Sequence, residues 1–337
     1  MKELLQRLTN TFGPSGHEDA IREVIRKEVR GLADEVRTDP LGNLIVRKRP
    51  SGAVRVKGGP RKVMIAAHMD EIGLTVTHVD SKGFARFTSV GGVYPRNLPG
   101  SRVRFMNGTA GVIGLEPTER ASDVPALDRM YIDVGATSAK AHPVKTGDVC
   151  GFERPFLDLG ERVAAKSMDD RIGCAVAIEA LRRLRGTPND VYFVFTTQEE
   201  VGTRGAQTSA YGIDPDLGFS VDVTGWGDTP GVRDLDIHLG KGPAIKIRDG
   251  GMLSDPRIVK WMVRTAERNR IPYQREVLLG GTTDAKAMQL VRGGVPVGCV
   301  SIPCRYVHTA SEMVDLRDVE NAIKLIVALL RSPISLD

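Results

Sequence analysis

An α/β fold carrying a small inserted β-rich module is predicted by three features of this sequence. Helical periods alternate with short apolar strands in the first 70 residues and again after residue 163. Between about residues 71 and 163 the helical periods stop, and short strand-like pieces are punctuated by Gly, Pro and Asn. Polar residues gather where the apolar strands end, the edge at which open α/β sheets commonly place ligands. Apolar strands interleaved with helices imply a mostly parallel or mixed sheet covered on both faces.

In chain order, Ser15-Gly16-His17-Glu18 reads as a capping box ahead of Ile21, Val24, Ile25, Val29 and Leu32 at helical spacing. Residues 41–46 (LGNLIV) and 63–67 (VMIAA) read as strands, the second buried on both faces. Residues 84–90, 102–106, 110–115 and 129–134 are the strand-like pieces of the inserted module. Ile172, Val176, Ala180 and Leu184 lie four apart on one helix face, with Gly186 as a stop. Residues 191–195 (VYFVF) form a strand, followed by a loop and then the strand at 218–223 (GFSVDV). Asp255-Pro256 opens another helix with a cap and a first-turn proline. Residues 295–302 form a further strand, and Val319, Ala322, Ile323, Ile326, Val327 and Leu330 mark a closing amphipathic helix. The organisation expected is therefore a discontinuous domain, 1–70 and 164–337, interrupted by a β-rich domain at 71–163.

A chain of 337 residues has ample apolar content for a sizeable core. No window approaches the roughly 18 uninterrupted apolar residues of a membrane span. The opening MKELLQRLTNTFGPSGHEDA has no apolar stretch suited to secretion, so a cytoplasmic protein is expected. Four cysteines without a CxxC pair suggest reduced, structural thiols. The net charge of +5 is modest, basic clusters are short, and aromatic residues are too few for a base-stacking platform. Neither nucleic acid nor membrane is an expected partner.

The candidate chemistry lies at the strand ends. His68 and Asp70 follow the 63–67 strand, Glu199 and Glu200 follow 191–195, Asp222 sits within 218–223, and His308 follows 295–302. Asp169 and Asp170 stand just before a helix. Each has a plainer reading taken alone: a satisfied interior histidine, a helix N-cap with a first-turn acid, a turn-capping aspartate, a solvated acidic turn at Glu199-Glu200. Together they would hold several carboxylates at one sheet edge without a cation, and clustered acids raise one another's pKa unless a positive centre intervenes. Two divalent metals would supply that centre, and His with carboxylate ligands suits Zn2+ or a similar first-row ion.

The strings HMDEIG (68–73), AKSMDDRIGC (165–174), TQEEVG (197–202), VDVT (221–224) and RYVHTASE (305–312) resemble the M42 family of metallo-aminopeptidases. GGTTDA (280–285) and NLPGSRVR (97–104) look like further landmarks of that family, and the resemblance runs from FGPSG (12–16) almost to the C-terminus. It implies an aminopeptidase with a three-layer α/β/α zinc-peptidase domain and an inserted β-barrel-like or PDZ-like dimerisation domain, whose dimers build a hollow tetrahedral dodecamer. It also implies two divalent ions per subunit, Zn2+ or Co2+ with Mn2+ as an alternative, and short peptides with a free N-terminus as substrates. Carried over by position, Asp169 would bridge the metals, with a cis peptide bond to Asp170. His68 and Asp222 would complete one ion, Glu200 and His308 the other. Glu199 would be the general base, and Asp70 would hold the His68 ring.

Competing readings are a two-metal deacylase or carboxypeptidase, a glycoside hydrolase using paired carboxylates, and a non-enzymatic scaffold. Adjacent Glu199 and Glu200 are poorly placed to flank a sugar bond across roughly 5 Å or more. His17, His78, His142 and His238 lack matching ligand strings and read as structural or surface residues. Arg248 and Lys286 are candidate charge-setting residues for the substrate pocket, and either could instead be a solvated surface cation. The Thr-Thr at 282–283 departs from a Gly-Gly-Thr-Asp form, which puts that part of the pocket in doubt.

Overall fold

A computed structural model describes residues 1–51, 59–117, 120, 123, 126–232 and 235–336. Its centre is an 11-stranded mixed sheet. Four apolar strands, Asp190–Thr196, Lys62–His68, Leu217–Thr224 and Val297–Arg305, lie side by side in that order and run parallel. Because they are parallel, their C-terminal ends reach the same edge, and Thr196 pairs directly with His68. Beyond Val297–Arg305 the sheet continues antiparallel through Glu312–Asp315 and Arg162–Ala165.

Alternation along these strands decides which helices cover which face. Val63, Ile65, Phe193, Phe219 and Val300 pack in one core with residues of helices Lys2–Asn10, Asp19–Glu28, Met168–Arg183, Pro256–Arg268 and Leu316–Leu330. Met64, Ala66, Val194 and Cys299 point the other way, into a smaller core with helices Arg204–Ile213 and Asp284–Gln289. Both faces are dry, as continuous apolar strands require.

The inserted stretch forms a closed six-stranded barrel from Gly73–Val79, Ala85–Val90, Arg102–Phe105, Ala110–Leu115, Met130–Asp133 and Val149–Phe152. Leu74, Val76, Phe87, Val103, Phe105, Ile113 and Ile132 fill it. Closure removes free strand edges, so short strands suffice.

Several local expectations fail for identifiable reasons. Ser15 does not cap a helix: the helix begins at Asp19, and the Ser15 hydroxyl donates to Asp70 Oδ2 at 2.6 Å. Glu18 accepts instead from the Gly16 and Gln198 amides, so a long-range bond displaces the local box. The same helix ends at Glu28, leaving Val29 as its cap and Leu32 in the following turn. The segment read as loop after residue 195 contains the helix Arg204–Ile213. Asp255 does cap its helix, accepting from the Arg257 amide, and Asp315 caps the closing helix in the same way.

Candidate active site

The parallel strands deliver His68, Glu199, Glu200, Asp222 and His308 to one edge, and the start of the helix Met168–Arg183 brings Asp169 and Asp170 against them. The Asp169–Asp170 peptide bond is cis. His68 Nε2 lies 3.0 Å from Asp169 Oδ1 and 3.9 Å from Glu199 Oε2. His308 Nε2 approaches from the other side, 3.3 Å from Asp169 Oδ2 and 3.4 Å from Glu200 Oε2. Asp169 thus stands between the two imidazoles.

Asp70 is fully buried and does more than face the His68 ring, whose Nδ1 is 3.4 Å from its Oδ1. It also accepts from the Glu199 and Glu200 amides at 3.0 and 3.2 Å, fixing the turn that carries both glutamates. Glu312, four residues after His308, accepts from the His308 amide at 2.7 Å and the Asp169 amide at 3.0 Å.

The electrostatics are those of a site with too much negative charge. Burial, then repulsion from Asp169, pushes the Glu200 carboxyl up to about 8. Burial also pushes Asp222 up to about 8, with Asp169 and Asp284 adding repulsion. Burial, with Asp222, Asp284 and Glu200 close by, holds Glu199 well above the usual carboxylate range against the opposing pull of His68. Asp169 is the exception: burial opposes its ionisation, but the bonds to His308 and His68 keep it low.

Two groups have ligand atoms mutually within 4.8 Å: His68 with Asp169 and Glu200, and His68 with Asp170 and Asp222. Asp170 enters the second group although no ligand role was expected of it. Its Oδ1 accepts from the Gly173 amide, while its Oδ2 and the Glu200 Oε1 have no hydrogen-bond partner among the described residues. A divalent cation fits this donor set: it would satisfy the orphaned oxygens and reverse the mutual repulsion.

The remaining expectations scatter. His17 and His142 line a groove of about 590 Å3 on the barrel side, His78 is on a barrel strand, and His238 pairs with Asp236 at 2.8 Å. Arg248 is exposed, and Lys286 is half-buried beside Gly251. A second groove, about 650 Å3 and lined by Arg257, Lys260, Arg264 and Arg268, contains none of the site residues. Sequence reading placed Asp170 among the candidate acids without a ligand role and gave Glu312 no role of its own. The signal was present, since both stand inside the same short strings as Asp169 and His308.

This fold, with acids and histidines converging at one sheet edge, belongs to a class of peptide hydrolases. The chain is a member of the M42 glutamyl aminopeptidase family, whose model matches residues 42–325. It is 38% identical over 344 residues to the lysyl aminopeptidase of Pyrococcus furiosus, covering 97% of this chain and 96% of that one. Its fold is similar to that of an aminopeptidase from the archaeon Desulfurococcus kamchatkensis, at TM-score 0.92 and 42% identity over 98% of this chain and 94% of that one. It is also similar to the TET1 peptidase of Pyrococcus horikoshii, described as assembling into a tetrahedron or a large octahedral shell. There the TM-score is 0.85 and the identity 35%, over 97% of this chain and 98% of that one. Among the described residues, no helix is long and apolar enough to cross a membrane.

Proposed function

We propose that the protein removes N-terminal residues from short peptides at a site holding two divalent metal ions. The observation that carries this reading is the placement of Asp169 between His68 and His308, with Glu200 and Asp222 alongside. Asp169 would be shared, His68 and Asp222 would hold one ion, and Glu200 and His308 the other, with Asp170 a second candidate beside Asp222. Zn2+ or Co2+ suits the mixed imidazole and carboxylate donors, and Mn2+ is a weaker fit. When bound, such ions supply Lewis acidity and lower the pKa of water.

The chain's own groups do the rest. Glu199 reaches the same centre without belonging to either ligand group, which suits a base that takes a proton from the attacking water and returns it to the leaving amine. Asp70 holds the Glu199 amide, and through it the carboxylate's position. Its contact with Nδ1 would leave the His68 Nε2 free to hold an ion.

Assembly through the barrel into dimers, and of dimers into a dodecamer, is part of the same proposal. The exposed Met106 and Val112 on the barrel and the assemblies named for the P. horikoshii relative support it.

One experiment tests the activity. Metal-loaded wild type and Glu199→Gln are compared on an aminoacyl chromogenic substrate and its N-acetylated form. Wild type is expected to cleave only the free amine and to stop in chelator. Glu199→Gln is expected to retain its metal yet lose at least about a hundredfold in kcat. Preference for the acetylated form would favour a deacylase, and equal turnover at equal metal loading would remove Glu199 from the mechanism.

A further inference from the structure

The strand Glu312–Asp315 lies between two others in the sheet, Val297–Arg305 on one side and Arg162–Ala165 on the other. The first of these neighbours leads by a short turn to His308, and the second leads to Asp169. Glu312 is the first residue of the middle strand, paired with Ala165. Its side chain is 1% exposed, and its two oxygens divide between two amides: Oε1 takes the His308 N–H and Oε2 the Asp169 N–H. A single carboxylate therefore ties together main-chain groups from two otherwise separate turns. Both turns need holding, because His308 sits in the left-handed region at φ 61, and Asp169 has non-helical dihedrals within its helix.

We propose that Glu312 is a positioning residue that sets Asp169 and His308 at their mutual distance and thereby makes the Glu200–His308 metal position. It touches neither side chain and holds both through the backbone. The inference rests on the two-metal reading given above. A purely structural role, satisfying two buried amides, would lower stability but leave both metal positions equally affected. A second buried acid next to Asp169 is also an unfavourable choice for mere amide satisfaction. The two bonds, at 2.7 and 3.0 Å, hold both amides against one buried group.

Glu312→Gln separates the two roles. The amide keeps the shape but leaves only one oxygen to serve two N–H groups. Zn2+ binding to chelator-stripped wild type and variant would be measured by competition with a chromophoric chelator, alongside the Tm of both metal-free proteins. The expected result is that wild type binds two ions. Glu312→Gln should bind the ion that shares only Asp169 slightly more weakly, and the Glu200–His308 ion, which also loses the His308 anchor, about ten- to a hundredfold more weakly. Its metal-free Tm should fall by no more than a few degrees, the cost of one orphaned buried amide, and raised metal should restore kcat with KM little changed. Glu312→Asp, which reaches one amide at a time, should show the same selective loss and serves if the glutamine variant does not fold. Two ions bound as tightly as in wild type, or both weakened alike, would overturn the proposal while leaving the two-metal reading intact. A wild type that takes up no divalent ion would sink both.

Discussion

At the scale of single residues, the site is defined by carboxylates that stay close although they repel. Glu200 and Asp222, at about 8, and Asp284, pushed up to about 6 by burial, all exceed the ordinary carboxylate value near 4. An acid whose folded pKa is raised binds its proton more tightly when folded, so its contribution to stability falls as pH climbs from the unfolded value through the folded one. For His68 and His308, burial opposes the charged ring but the bonds to Asp169 win, and His308 is raised to about 10. Their stabilisation is present below about 6.5 and is lost as pH rises through the folded value. The two signs agree. Asp169 acts oppositely, but only below about pH 4. Metal-free protein is therefore expected to lose about 5 °C or more in Tm between about pH 5.5 and pH 8, an effect that saturating Zn2+ should flatten. Calorimetry in excess chelator showing a constant or rising Tm would count against the described cluster.

Glycines and loops decide the next scale. The barrel strand Ala85–Val90 leads into Gly91 and Gly92, which lie directly against the site. A Cβ on Gly91, already at φ 76, would stand 3.0 Å from Glu200 Oε2, and one on Gly92 would stand 2.8 Å from His308 Nδ1. The barrel thus supplies part of the wall around Glu200 and His308. Gly92→Ala should leave the Tm within a few degrees and cost about ten- to a hundredfold in turnover by displacing the His308 ring. Unchanged steady-state kinetics would mean that the ring moves aside freely. Beneath the site, Glu71 accepts from Lys166 Nζ at 2.6 Å and from the Gly13 amide at 2.7 Å, so the N-terminal segment is bolted to the element that carries Asp169. The FGPSG string is legible in sequence, but this buried partner set is not, because its members lie far apart in the chain.

For the whole molecule, the barrel and the mixed sheet meet where the chain crosses between them after His68 and before Asp169, which puts the site at the junction of the two. The same barrel exposes Met106 and Val112. Light scattering is expected to give a mass near twelve times 36.6 kDa, with a dimer as its dissociation product. A stable, active species of 36.6 kDa would refute assembly as a requirement. How much was legible follows from the range of each interaction. The central strands and the main helices could be read from their periods. Weakly apolar pieces such as Gly73–Val79, Gln274–Val277 and the helix Arg204–Ile213 could not, because tertiary pairing, not local pattern, holds them in place.

The sequence by itself determined the α/β rhythm, the β-rich insertion and the polar residues that reach the sheet edge, since each depends on neighbours a few positions away. It also carried the family resemblance in short ordered strings. Only the tertiary structure decided that Asp170 joins Asp222, that Ser15 serves Asp70 instead of a helix, and that Glu312 spans the amides of Asp169 and His308. Those relations join residues from separate strands, and their distances are set by sheet order and register, which no local pattern encodes.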